Sequence, residues 1–421
     1  MGNRIWRPAV RVGKVWDSEF PWDVRVEKVC GALRGAGHEV HLVCRNRHGE
    51  PLEEEWNGVH LHRMPVWRSW PAAVDRASSF PAFVNPRWLG LVEGVFRRQS
   101  VDLVLCRDLP LAPLAVAVAK RLRRPIVVDI AEHYAGLLRD LYNAHDFKIR
   151  NVLLRNPYLA LLVERLTLPR TDGVLVVVEE MRERLVRLGV PAARITVVSN
   201  TPTRDRVAVI GRIARSEGAP GGRLRLVYLG NVERSRGLEV VIEALGRPST
   251  SGQRCTLDVF GDGSSLELHR AEVSRRGLTG RVVFHGRLPY DEVLRRLGDF
   301  DVGVIPHFAT DHWNYTVQNK LFDYMAAGLA VLVSSMPPAA RIVTEVGAGR
   351  VFADRDPESV LRELAVLADA AVRRSMGDRG RRAVVQRYNW DHDGARLAAA
   401  LEGLVSAGSR RASPVAAGGR E

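Results

Sequence analysis

The stretch Asn314–Ser335, NYTVQNKLFDYMAAGLAVLVSS, leaves this chain the fewest options. A short amphipathic run, LFDYMAA, is closed by Gly328 and followed at once by the β-branched-rich Ala330–Val333. That order reads as a helix with a glycine end feeding a buried strand, which a parallel sheet covered by helices accommodates. At its start, after Gln318 and Asn319, the helix points backbone N–H groups and the positive end of its dipole over the strand ends, where a phosphate can sit. Lys320 adds a full charge there. Asp323, one turn on, suits the neutral hydroxyl donors of a ribose and would repel a phosphate. The plain alternative is that both side chains merely solvate a helix end. Taken together they fit a nucleoside diphosphate, the simplest molecule that needs both.

With 421 residues there is room for two domains of ordinary size, each with its own core. Apolar content of 46% and charged content of 26% are those of a globular protein. No run reaches the roughly 18 apolar residues of a membrane helix, and MGNRIWRPAV has no apolar signal core, so a cytoplasmic location is expected. The four cysteines are scattered without metal-ligand spacing, which predicts reduced side chains: Cys44, Cys106 and Cys255 on strands, Cys30 on a helix face. A net charge of +14 attracts polyphosphates, anionic membranes and nucleic acid alike. The arginines are spread along the chain without a nucleic-acid module, so no nucleic-acid partner is expected.

In order, AVRVGKV (9–15), a helix over 24–36 and HEVHLVC (38–44) form the opening βαβ of a doubly wound sheet. Residues 65–98 interleave Trp67, Trp70, Phe80, Phe83, Trp88 and Phe96 with arginines and prolines, a mixture that suits the interface of an anionic bilayer. A loop and helix with buried aromatics is the competing reading. DLVLC (102–106), IVVD (126–129), GVLVVV (173–178) and ITVVS (195–199) read as further strands, and 149–168 as a helix. Glu132 and His133 stand at a strand end, where such sheets place ligands. The Arg-rich 204–222, ending GAPGG, reads as a linker. A second βα series follows over 223–388, then a helix over 389–405 and a small-residue tail, 406–421, expected to be disordered.

QNKLFDYMAAGLAVLVSS resembles, nearly residue by residue, the C-terminal signature of retaining GT-B glycosyltransferases of family 4. RDLPLAP, DIAEHYAG, VVSNTP, GNVERSRG, GDGSSL and YNW resemble further phrases of that family, in the family's order over about residues 9–405. The resemblance implies two Rossmann-like domains facing a cleft: 1–203 for the acceptor and 223–388 for an NDP-sugar, with 389–405 crossing back to the first. It implies Arg236 and Lys320 on the donor diphosphate, with Gly230, Asn231, Arg234, Gly261, Gly263, Arg287, Asn319 and Asp323 around the donor. Glu132 would contact acceptor or sugar, and Arg25, Glu27 and His133 would line the acceptor side, with a structural salt bridge at least as good a reading of Arg25 and Glu27. Asn231 stands where relatives carry Arg, Arg107 where they carry His, Ala131 where many carry His, and Tyr315 where many carry Glu.

The expected activity is transfer of a sugar, from a UDP-sugar first among donors, to a lipid-linked saccharide or small metabolite with retention of configuration. No cofactor and no metal are expected, since the cations replace a divalent ion and no D-x-D pair stands placed to hold one. A sugar-nucleotide epimerase and a silent sugar-nucleotide- or membrane-binding partner are the alternatives on the same scaffold. An epimerase should show paired acids and a histidine around the sugar. Tyr315 and Ala131 argue against that, and the presence of both Arg236 and Lys320 argues against silence.

Overall fold

A computed structural model describes residues 9–21, 23–66, 74, 78, 83, 85–144, 156–213, 223–247 and 255–412. The chain divides into two compact units, one of Met1–Ser199 with Asp393–Glu421 and one of Asn200–His392.

The first unit is built on eight strands: β1 (Arg11–Val15), β2 (Glu39–Cys44), β3 (Glu53–Trp56), β4 (Val59–Arg63), β5 (Leu103–Arg107), β6 (Ile126–Ile130), β7 (Gly173–Val176) and β8 (Ile195–Val197). Their order is β3-β4-β2-β1-β5-β6-β7-β8, parallel throughout except for the β3–β4 hairpin at one edge. Helices α1 (Val24–Gly35), α2 (Pro86–Arg98), α3 (Ala112–Leu122), α4 (Tyr134–Ala144), α5 (Pro157–Thr167) and α6 (Glu179–Arg187) belong to this unit. The sheet's central strands are buried on both faces, as helix-covered parallel strands must be, and apolar but for Arg107 and Asp129.

The second unit carries β9 (Leu224–Leu229), β10 (Cys255–Phe260), β11 (Val282–Gly286), β12 (Val302–Ile305), β13 (Ala330–Ser334) and β14 (Gly349–Phe352), ordered β11-β10-β9-β12-β13-β14 and all parallel. Its helices are α7 (Arg204–Gly211), α8 (Leu238–Leu245), α9 (Leu266–Arg275), α10 (Tyr290–Arg295), α11 (Asn319–Ala326), α12 (Pro337–Val346), α13 (Pro357–Leu367) and α14 (Ala370–Gln386). The last helix, α15 (Trp390–Ala412), starts in this unit and from Asp393 on belongs to the first. There the Asp393 carboxylate accepts the Ser199 N–H at 2.9 Å, and Glu402 lies 3.4 Å from His38.

Two expectations are corrected. The linker over 204–222 opens with α7, capped by the Thr203 side chain and burying Val207 and Ile210; residues 214–222 lie outside the described ones. The tail does not begin at 406, because α15 runs to Ala412. In the aromatic segment 65–98 the competing reading holds for Trp88 and Phe96, which are 0% and 1% exposed. The Phe96 ring lies 2.7 Å from where a Cβ on Gly13 would stand, so that glycine makes room for it against β1. Trp67, Trp70 and Phe80 lie outside the described residues. The edge strand β3, an acidic EEEW, is an element the sequence reading passed over. All four cysteines are free and buried, on the elements expected.

Candidate functional site

Parallel sheets of this kind bind ligands beyond the strand carboxyl ends, where the strand order reverses. In the second unit that reversal lies between β9 and β12. Gly230 follows β9, and Pro306 and His307 follow β12. The backbones here approach too closely for side chains. A Cβ on Gly261 would stand 1.8 Å from the Gly230 carbonyl oxygen, and one on Gly237, at φ +64°, 2.0 Å from that of Pro306.

Two cations converge on Gly230. Arg236 ends a 3₁₀ turn (Arg234–Arg236) terminated by Gly237; its Nη1 lies 3.4 Å from His307 Nε2 and its guanidinium 4.9 Å from the centre of the Trp313 ring. Lys320, in the first turn of α11, is buried, with Nζ 4.1 Å from the Tyr228 ring centre and no hydrogen-bond partner. A Cβ on Gly230 would meet that Nζ at 3.3 Å and Arg236 Nη1 at 3.9 Å. Among the described residues neither cation is paired with a carboxylate. Burial, and then the Arg236 charge, holds the Lys320 amine well below its ordinary range. Burial also depresses His307, and Lys320, Arg236 and His312 add to the effect. Gln318, the residue before α11, supplies no side-chain cap; its carbonyl takes the Leu321 N–H at 3.1 Å, and the N–H groups of Asn319 and Lys320 ahead of it are left for another acceptor. Buried positive charge without an acid, beside uncapped N–H groups, is an arrangement that can neutralise a diphosphate.

Of the expected donor residues, the structure brings together Gly230, Gly261, Arg236 and Lys320. Gly263 packs against the Val232 backbone, where a Cβ would stand 2.4 Å from the carbonyl oxygen. Asn231, Arg234, Arg287 and Asn319 are exposed, Asn231 accepting the Tyr228 hydroxyl on its carbonyl at 2.6 Å. Asp323 departs from expectation. Its carboxylate is 1% exposed and is held by Arg206 of α7, Nε to Oδ1 at 3.0 Å and Nη2 to Oδ2 at 2.9 Å. The Tyr290 hydroxyl donates to the same oxygen Oδ2, and the Arg206 guanidinium stacks 4.2 Å over the Tyr290 ring. In this structure Asp323 joins α7, α10 and α11. His307, Tyr228 and Trp313 were not foreseen; only the position of His307, just past β12, could have signalled one of them.

In the first unit the reversal lies between β1 and β5. Of the two readings of Arg25, the structure has the structural salt bridge: the side chain is buried, with Nε 3.0 and 3.1 Å and Nη2 2.6 Å from the Asp129 carboxylate and Nη1 donating to the Val198 carbonyl at 3.0 Å. It ties α1 to β6 and to the residue just past β8. Burial would raise Asp129, but Arg25 and Arg107 pull it down to about 2. Glu27 is half-buried and raised by burial and by Asp23. Glu132 is exposed and His133 buried, just past β6. Asp108, just past β5, sits in left-handed backbone at φ +60°. Its Oδ1 accepts from Arg107 at 2.8 Å and from the Ala131 N–H at 3.2 Å, while burial pushes the carboxyl up to about 6 despite Arg107. Such strain at a strand end marks a place to look for function. Among the described residues no group of three or more His, Cys, Asp or Glu is arranged to hold a metal ion.

Residues 23–201 match the Glycosyl transferase 4-like domain and residues 223–369 the Glycosyl transferases group 1 domain. The 2-deoxystreptamine glucosyltransferase of Streptomyces kanamyceticus is 28% identical over 189 residues, 42% of this chain and 49% of that relative, so the match spans about half its length. Among solved structures, sucrose-phosphate synthase from Thermosynechococcus elongatus is similar with a TM-score of 0.69 at 18% identity, over 94% of this chain and 100% of that one. The Anabaena HepE protein in complex with UDP-glucose gives 0.65 at 13% identity, over 94% and 100%. With both domain models matched in order and the two sheets as described, the chain belongs to the GT-B glycosyltransferases, with a 4-like N-terminal domain and a group 1 C-terminal domain.

Proposed function

We propose that the protein transfers a sugar from a nucleoside-diphosphate sugar, UDP-sugar first among them, to the hydroxyl of a lipid-linked saccharide or small metabolite, with retention of anomeric configuration. The observation that carries this reading is the pair Arg236 and Lys320 at the switch point of the second unit, with no acid between them. The Anabaena relative bound to UDP-glucose is consistent with it.

Breaking a sugar–phosphate bond through an oxocarbenium-like state asks the protein mainly to stabilise the departing diphosphate and hold the acceptor in place. Arg236, Lys320 and the uncapped N–H groups of α11 supply that positive field from fixed positions, without a metal. The leaving phosphate takes the acceptor proton, so no nucleophilic side chain is assigned. Glu132 and His133 of the first unit are proposed to orient the acceptor.

Lys320→Ala and Arg236→Ala should each lower turnover about 100-fold or more, as loss of a contact made to developing charge does. Near-normal rates in both would sink the mechanism. The donor is named by a thermal-shift series with UDP, GDP, ADP, dTDP and UDP-sugars without added metal. A ligand at about 100 times its dissociation constant adds roughly 2.7 kcal/mol of stability. No shift with any of them removes the proposed donor site.

A further inference from the structure

The positive charge that the reaction asks of the second unit's strand ends is easier to supply than to hold still. Arg236 leaves the turn Arg234–Arg236 on a long, rotatable side chain, and the other arginine of that turn, Arg234, is exposed. Two rings meet Arg236. His307 Nε2 lies 3.4 Å from its Nη1, and the centre of the Trp313 ring lies 4.9 Å from its guanidinium carbon. Both rings are buried, and they stand edge to face, centres 4.6 Å apart at 83°.

The direction of the His307 contact follows from chemistry. A guanidinium carries donors only, so Nε2 accepts and the ring proton sits on Nδ1. That is the neutral imidazole, the form that burial and the neighbouring cations favour. The backbone around the ring is fixed at three points. The His307 carbonyl accepts the Ser334 hydroxyl of β13. Phe308, the next residue, donates its N–H to the Ser235 carbonyl at 3.1 Å, which ties this segment to the turn that carries Arg236. Gly237 closes that turn against the Pro306 carbonyl oxygen, with no room for a side chain.

A carboxylate in this place would hold the guanidinium more firmly, but it would cancel the charge that is to meet a diphosphate. An imidazole lone pair and an indole face hold a cation and leave its charge whole. Elsewhere in the unit Arg206, which ties helices together, is paired with an acid, Asp323.

We propose, on the donor reading of Arg236 given above, that His307 is a positioning residue for the reaction: with Trp313 it forms an uncharged clasp that presets the Arg236 guanidinium for the departing diphosphate. Preset geometry is repaid where charge develops, so the clasp acts on turnover more than on donor binding.

The test is steady-state release of UDP from UDP-glucose with water as acceptor. His307→Leu should lower kcat roughly 10- to 100-fold and change KM less than about threefold. His307→Gln, whose amide oxygen can stand where Nε2 stands, should recover most of that loss. His307→Asn, which reaches only the Nδ1 position, should not. Placed on Arg236→Ala, His307→Leu should cost nothing further, because a residue that acts through Arg236 then has nothing to act on. Full rate in His307→Leu, losses that add in the double variant, or rescue by Asn in place of Gln would each overturn the clasp while leaving Arg236 its role. If Arg236→Ala alone runs at the wild-type rate, the donor reading fails and the clasp with it.

Discussion

Lys320 is a buried amine whose nearest charged neighbour is another cation, and that makes it a reporter of its own ligand. Burial and Arg236 both disfavour its ammonium form. A bound diphosphate reverses the local field and raises the amine's proton affinity. Nucleotide binding should therefore favour the protonated amine, and affinity should fall as pH rises through the range in which the free amine loses its proton. Titration calorimetry of the preferred NDP in two buffers of unlike ionisation enthalpy reads this directly. Equal heats in both would mean that no proton moves, and would reject this picture of the site. Arg236 cannot play that part, since its guanidinium keeps its charge throughout.

At the scale of elements, α7 is what the second unit uses to hold α11 in place. Arg206 is 23% exposed and Asp323 only 1%, so the two ends of the pair are not equivalent. Arg206→Ala strands a buried carboxylate and should cost about 3–5 kcal/mol, whereas Asp323→Ala frees a guanidinium that can reach water and should cost less. Urea unfolding of the two variants checks the order, and the reverse order would show that burial does not govern the pair. Much of this layer was readable beforehand. The runs LRLVYL and AVLVS are β-branched or leucine-rich and lie beside glycine, so the strands and the turns at Gly230 and Gly328 followed from local chemistry. The partner of Asp323 did not, because Arg206 lies 117 residues away and no local pattern encodes that distance. Helix α7 was hidden by its arginines, although Thr203, Val207 and Ile210 carried the cap and the helical spacing. The edge strand β3 was hidden by three glutamates, which an outermost strand tolerates because charge there discourages pairing with another chain.

The whole molecule has two cores joined by two crossings of the chain, at Ser199–Asn200 and at His392–Asp393. With Leu397 and Leu401 buried, α15 is part of the first unit rather than a tail. A chain ending at Asn389 should therefore keep the second unit's response to nucleotide while the first unit melts earlier, as two transitions followed by differential scanning calorimetry. A single unshifted transition would show that α15 contributes nothing to the first unit. The same arrangement bears on how the protein is made. A ribosome releases the N-terminus first, and domains ordinarily fold in that order as they emerge. Here the carboxylate that caps Ser199 and the leucines of α15 leave the ribosome after the whole of Asn200–His392. The unit begun first is thus completed last, and the nascent first unit must wait, with part of its core uncovered, for the helix that closes it.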